Sequence, residues 1–178
     1  MTDKFKSHAW RLDYRKESLV QIITGLKAAI TTLEDRVNEG SWYDGSFFLE
    51  DAEPIVGLAF IACQNYIYGS IKDRFITTET AKLARLTSPI IKQYNRTVIE
   101  LIIVLANYCK HMDGDLTKAT KGILNDFKFK FDGGIDSTPI FDGLELLSTK
   151  WDLEEVLLKV LTWREELWTI HEDLELRK

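Results

Sequence analysis

Hydrophobic positions recur along this chain at helical spacing, and the densest run lies at its centre. Leu101-Ile102-Ile103-Val104-Leu105-Ala106 are six apolar residues in succession. They cover more than a full helical turn, so no side of that turn can face water. Around them Tyr94, Val98, Leu101, Leu105, Tyr108 and Met112 recur at alternating spacings of four and three. The pattern predicts a central buried helix over 88–111, with Ser88 as N-cap and Pro89 at the first helical position. Lys110 and His111 fall in its last turn, just before the breaker Asp113-Gly114-Asp115.

Similar stripes predict the surrounding helices. Over 9–37, Leu19, Leu26 and Leu33 repeat every seven residues, with Ile23, Ile30 and Val37 beside them, one apolar stripe of an amphipathic helix. Gly40-Ser41 ends it, and Trp42-Tyr43-Asp44-Gly45-Ser46 is expected to be a loop. A second helix is expected to begin near Asp51 to Pro54, with Ile55, Ala59, Ala62 and Tyr66 in one row and Val56, Phe60, Cys63, Ile67 and Ile71 in another. Its Gly57 and Gly69 lower helix propensity but permit close packing. Shorter helices are expected at 78–86 and 116–125. Phe127, Phe129 and Phe131 alternate with lysines, a strand-like pattern without a partner, read as an extended segment laying three rings on the bundle. A loop is expected over 132–139. Asp152 with Glu155 announces the last helix, in which Leu153, Val160, Leu167 and Leu174 recur every seven residues, with Leu157, Trp163 and Ile170 beside them. The expected fold is all-α: a single helical-bundle domain over 1–178, with four main helices plus short ones.

Composition adds boundaries. With 178 residues and 45% hydrophobic content, the chain can bury a full core without metal or disulfides. A net charge of -5 argues against a surface dedicated to nucleic-acid phosphates. Cys63 and Cys109 lie in apolar stretches and read as two buried thiols of a reducing compartment. No stretch has the apolar length of a signal peptide or a membrane span, so a cytoplasmic location without membrane contact is expected.

Catalytic patterns are scarce. No CxxC or HExxH arrangement is present, and His8, His111 and His171 are far apart in sequence, so neither metal nor cofactor is expected. The Asp113-Gly114-Asp115 stretch resembles the start of a calcium loop. However, Lys118 stands where glycine is needed and Leu124 where the bidentate Glu should be. What remains is Asn107-Tyr108-Cys109-Lys110-His111. On a helix, Asn107 and His111 lie one turn apart on one face with Lys110 beside them. Cations there also have a structural use, because they complement the helix dipole and cap free carbonyls.

A helical bundle whose third long helix ends in such a polar tip resembles the HEPN superfamily, which includes bacterial toxin ribonucleases and their inactive relatives. The resemblance implies a homodimer that cleaves RNA without metal, with His111 assisting attack by the 2′-hydroxyl and Lys110 and Asn107 beside it. Active members carry an arginine between one and two turns before the histidine, where this chain has Val104, Leu105 and Ala106. On a continuous helix Arg96 would lie roughly 22 Å away along the axis. Membership would therefore imply an inactive or repurposed relative.

A different surface stands out by charge. Residues 34–53 hold Glu34, Asp35, Glu39, Asp44, Glu50, Asp51 and Glu53 against Arg36 alone, seven acids and one base for a local charge of -6. Trp42, Tyr43, Phe47 and Phe48 lie among them. Aromatics supply buried contact area, and carboxylates steer and meet a basic partner. The acids of the last helix, Glu165, Glu166, Glu172, Asp173 and Glu175, alternate with Arg164, His171, Arg177 and Lys178 and read as a solvated face. In size and charge the chain resembles bacterial immunity proteins, including those that neutralise contact-dependent growth inhibition toxins. The expectation is a non-catalytic inhibitor of a basic nuclease toxin, bound through Glu39, Trp42, Tyr43, Asp44, Glu50, Asp51 and Glu53. The alternatives are the His111 ribonuclease homodimer and a scaffold subunit.

Overall fold

The computed structural model describes residues 12–39, 42–75, 84–131 and 138–169. They form an all-α bundle of α1 (Lys16–Asn38), α2 (Gly45–Arg74), α3 (Val98–His111), α4 (Lys118–Asp126), α5 (Pro139–Leu147) and α6 (Leu153–Glu166). Residues 84–86 are also helical. One small antiparallel hairpin, β1 (Ile90–Ile91) against β2 (Arg96–Thr97), interrupts the helices. The second helix is the hub, packed against α1, α3, α5 and α6, and α3 adds contacts to α4 and α5. Four long helices and shorter ones are what the apolar stripes predicted.

The stripes behave as expected where the chain is described. All six residues of the 101–106 run are buried. Leu19, Ile23 and Leu33 are buried, and Leu26, Ile30 and Val37 are partly buried against the same core. Phe127 and Phe129 stack at 5.4 Å inside the core, with Phe131 packed on its edge. The expected positions Ile170 and Leu174, and most of the short helix at 78–86, lie outside the described residues.

Several boundaries differ, each for a local reason. The central helix begins at Val98, not at Pro89. Its cap is Thr97, whose side chain accepts from the Glu100 N–H while the Glu100 carboxylate accepts from the Thr97 N–H at 2.9 Å, a reciprocal capping box. Ser88 still serves this helix, but through space: its hydroxyl accepts from the Ile99 N–H at 3.2 Å. The hairpin between them turns at Asn95, which holds a left-handed φ of 52°, a conformation Asn tolerates better than most residues. Arg96 is therefore not part of the helix at all, and pairs with Glu100 and Asp126.

The second helix starts six residues or more before the expected Asp51–Pro54 boundary. Asp44 caps it, accepting from the Ser46 and Phe47 N–H groups at 2.8 and 3.3 Å. Pro54 thus lies well inside the helix, on a face exposed to solvent. There the carbonyl deprived of its donor can bind water instead. Residues 12–15 are not helical, because Asp13 and Arg15 turn inward to partners described below. Thr138-Pro139 opens the short helix α5 rather than closing a loop, and Ile140, Phe141, Leu144 and Leu147 are its buried face.

Candidate functional site

Of the seven partner-binding residues expected from sequence, the structure gathers only some on one surface. At the corner between α1 and α2 Trp42 is 78% exposed. It packs edge-on against Phe47 at 5.3 Å and Tyr43 at 6.1 Å. Tyr43 is buried beneath it and donates its hydroxyl to Asp51 at 2.9 Å. Glu39, at the C-cap of α1, and Glu50 are exposed. The other acids have structural duties: Asp44 caps α2 and Asp51 holds Tyr43. Glu53 is half-buried and turned toward α3. There burial first, and the Glu53 charge second, raise the ionisations of Tyr108 and Cys109 above their ordinary values. The acids expected to share one patch with the aromatics are therefore divided between two sides of α2. The reason is that the helix already begins at Gly45, so the side chains of residues 45–53 fan out by about 100° each.

Beside this corner runs a trough. One part, about 370 Å³, is lined by Glu34, Val37, Asn38, Gly45 and Phe48. A second, about 290 Å³, shares Glu34 and Phe48 and continues past Ile30, Ala52 and Val56 to Leu144, Phe141 and Trp151. Trp151 closes the far end, its ring stacked on Phe141 at 5.0 Å. Its backbone holds a φ of 56°, an uncommon conformation for a bulky residue. Lys150 stands at that end and Glu34 in the middle.

The tip of α3 is built differently from a catalytic cluster. The side chain of Gln64 on α2 is buried and fully employed. Its amide donates to the Ile103 carbonyl at 3.1 Å and to Asn107 Oδ1 at 2.9 Å, and its oxygen accepts from Lys110 Nζ at 2.5 Å. Asn107 and Lys110 thus satisfy a buried polar group of a neighbouring helix. His111 is exposed. Sequence spacing placed the three together; packing assigns two of them to α2.

The cluster that sequence reasoning missed lies where the start of the described chain meets the ends of α2 and α6. Arg164, read from sequence as part of a solvated face, is 1% exposed. Its Nε lies 3.1 Å from Asp13 Oδ2, which also accepts the hydroxyl proton of the buried Tyr66. Arg15 meets Asp73 with two hydrogen bonds, at 2.5 and 3.1 Å. To reach it, the Arg15 side chain crosses Gly69, where an added Cβ would come within 2.7 Å of Nε. Arg74 donates to the Leu167 carbonyl at 3.0 Å and lies over the Trp168 ring. A signal for this cluster does exist: Asp73, Arg74 and Arg164 stand seven residues after Tyr66, Ile67 and Leu157. Charged residues that continue an apolar stripe mark a buried ionic contact.

The two cysteines are unequal. Cys63 is fully buried, and burial pushes its thiol up to about 12. Cys109, expected to be buried as well, is only half-buried and touches the space above Gly57, where a Cβ would come within 2.3 Å of its sulfur. Both are free thiols. In native protein at pH 8, iodoacetamide should leave Cys63 unmodified and label Cys109 more slowly than a free thiol. Raising the pH should accelerate Cys109 alone, because the thiolate is the nucleophile. Mass spectrometry after digestion reads this directly, and labelling of Cys63 without denaturant would contradict the packing.

Among the described residues, no group of three or more His, Cys, Asp or Glu side chains is placed to hold a metal ion. No described helix is long and apolar enough to cross a membrane. No protein-family model, curated protein or solved structure matches the chain.

Proposed function

We propose that this chain is a non-catalytic binding protein that docks a basic protein partner at the α1–α2 corner, and that the partner is a nuclease toxin held inactive in the manner of an immunity protein. The observation that carries the proposal is Trp42: a large aromatic residue left 78% exposed whose ring is yet braced by Phe47 and Tyr43. A rigid, exposed aromatic loses little conformational entropy on binding and brings a large contact area. Glu39 and Glu50 supply exposed negative charge in the same stretch, suited to steering a basic surface. Support also comes from the tip of α3. The ribonuclease reading rests on Asn107, Lys110 and His111, and two of these are held by Gln64.

The test is capture by the tagged 178-residue chain from lysate of its source cells, at low salt and again at roughly 0.5 M, where charge steering is screened. The expected result is a stoichiometric basic protein that dissociates at high salt. Trp42→Ala, and separately Glu39→Lys with Glu50→Lys, should each weaken capture about tenfold, or about 1.4 kcal/mol, without lowering the melting temperature. Asp44 and Asp51 make poor test positions, since reversing them removes a helix cap and a buried hydrogen bond. Capture indifferent to both sets of substitutions would remove the proposal. So would a bare homodimer that cleaves RNA and loses that activity in His111→Ala.

A further inference from the structure

We propose that the trough between α1, α2 and α5 receives a short cationic amphipathic helix from the partner, with apolar side chains in the cleft and Lys or Arg over Glu34. The inference rests on the binding-protein reading above and names the chemistry the partner must present. From Ile30 to Asn38 the trough follows about 12 Å of α1, the length of two helical turns. Its accessible apolar surface comes from the partly buried Ile30, Val37 and Phe48 and from Trp151, over a floor of buried Ala52, Val56 and Leu144, and Ala52 and Gly45 on the α2 side are small enough to leave room. Anchors one turn apart on an incoming helix would fall into the two connected recesses.

Charge selects the occupant and its direction. The exposed carboxylate of Glu34 lines both recesses, and Glu39 and Asp44 lie beyond the Asn38 end. The opposite end carries Lys150 next to Trp151. A basic helix is therefore favoured with its positive charge toward Asn38 and its uncharged end on the Trp151–Phe141 stack. An acidic or purely apolar segment would place carboxylates, or nothing, against Glu34.

The probe is a fluorescein-labelled synthetic peptide with leucines at helical spacing and lysines on its flanks. One control replaces the leucines with serine at the same charge; another replaces the lysines with glutamate. Anisotropy titration of the whole 178-residue chain should show the Leu/Lys peptide binding at least tenfold more tightly than either control. Glu34→Lys, and separately Thr149→Trp at the cleft mouth, should each cost about tenfold. Binding should also shift the Trp151 indole N–H resonance, assigned by its loss in Trp151→Phe. Equal binding of the leucine and serine peptides, or binding untouched by Glu34→Lys and Thr149→Trp, would overturn the inference. Trp42→Ala separates the two readings: partner capture lost in Trp42→Ala, with no discrimination between peptides, leaves the binding-protein reading standing and the trough without an occupant.

Discussion

Arg164→Ala should lower the unfolding free energy by about 3–5 kcal/mol, the loss expected when one member of a buried ion pair is removed. The guanidinium is 1% exposed. Asp13, whose carboxylate it meets at 3.1 Å, is itself 12% exposed as a side chain. Without Arg164, Asp13 keeps the Tyr66 hydroxyl but loses the positive charge that offsets its desolvation. The space of a large buried side chain is also left open. For a chain of this length the melting temperature should fall by about 10 °C. Asp126→Ala is the matching control. Its partner Arg96 is 33% exposed as a side chain and Asp126 46%, so solvent screens the pair and the loss should stay under about 1 kcal/mol. Urea denaturation of both variants checks the contrast. A loss in Arg164→Ala no larger than that in Asp126→Ala would mean that water reaches the buried network and that the fold does not rely on it.

Gly143→Val should cost about 3 kcal/mol, although glycine is a poor helix former and its replacement would ordinarily help. A Cβ at this position in α5 would stand 2.4 and 2.7 Å from the two methyl carbons of Leu105 and 3.0 Å from its Cγ. Leu105 is fully buried, so the added methyl groups force it off its rotamer or lift α5 away from α3, and either costs stability in a packed core. Gly122 in α4 provides the opposite case, since nothing lies within 4 Å of a Cβ built there. Gly122→Ala should therefore stabilise the protein by up to about 1 kcal/mol through helix propensity alone. Adding Leu105→Ala to Gly143→Val should recover part of the loss, and the double-mutant cycle measures how much of it is this single contact. Equal effects at Gly143 and Gly122 would show that the close approach of α5 to α3 is not real.

The two cases also explain which elements were legible beforehand. The central run at 101–106 and the stripes of α1, α2 and α6 survive because burial of apolar area is insensitive to detail: a stripe must find a partner surface whatever that surface is. Helix ends are set by single side chains instead. Asp44 and Thr97 each compete with several nearby residues that could cap equally well, and packing chose between them. The start of α5 carried a signal that a loop assignment overlooked, a proline at the first position followed by apolar residues at helical spacing. Ser88 shows the limit of local reasoning. It is not the N-cap of the central helix, which is Thr97; its hydroxyl reaches the Ile99 N–H across a hairpin that no periodicity in residues 90–97 announces.

The candidate sites divide in the same way. Sequence located the acidic, aromatic stretch at 39–53 and the polar tip at 107–111, because composition and helical spacing are local properties. It could not show that Trp42 is exposed while Tyr43 is buried, that Asp51 serves Tyr43, or that Asn107 and Lys110 belong to Gln64 from 43 and 46 residues away in sequence. By itself the sequence determined that this chain is a helical bundle and which faces of its long helices turn inward, since periodicity and hydrophobic burial operate within one element. Only the tertiary structure decided which charges are solvated and which are buried in pairs. A charge's environment is made by the side chains that other elements bring to it, and in this protein those come from helices far apart along the chain.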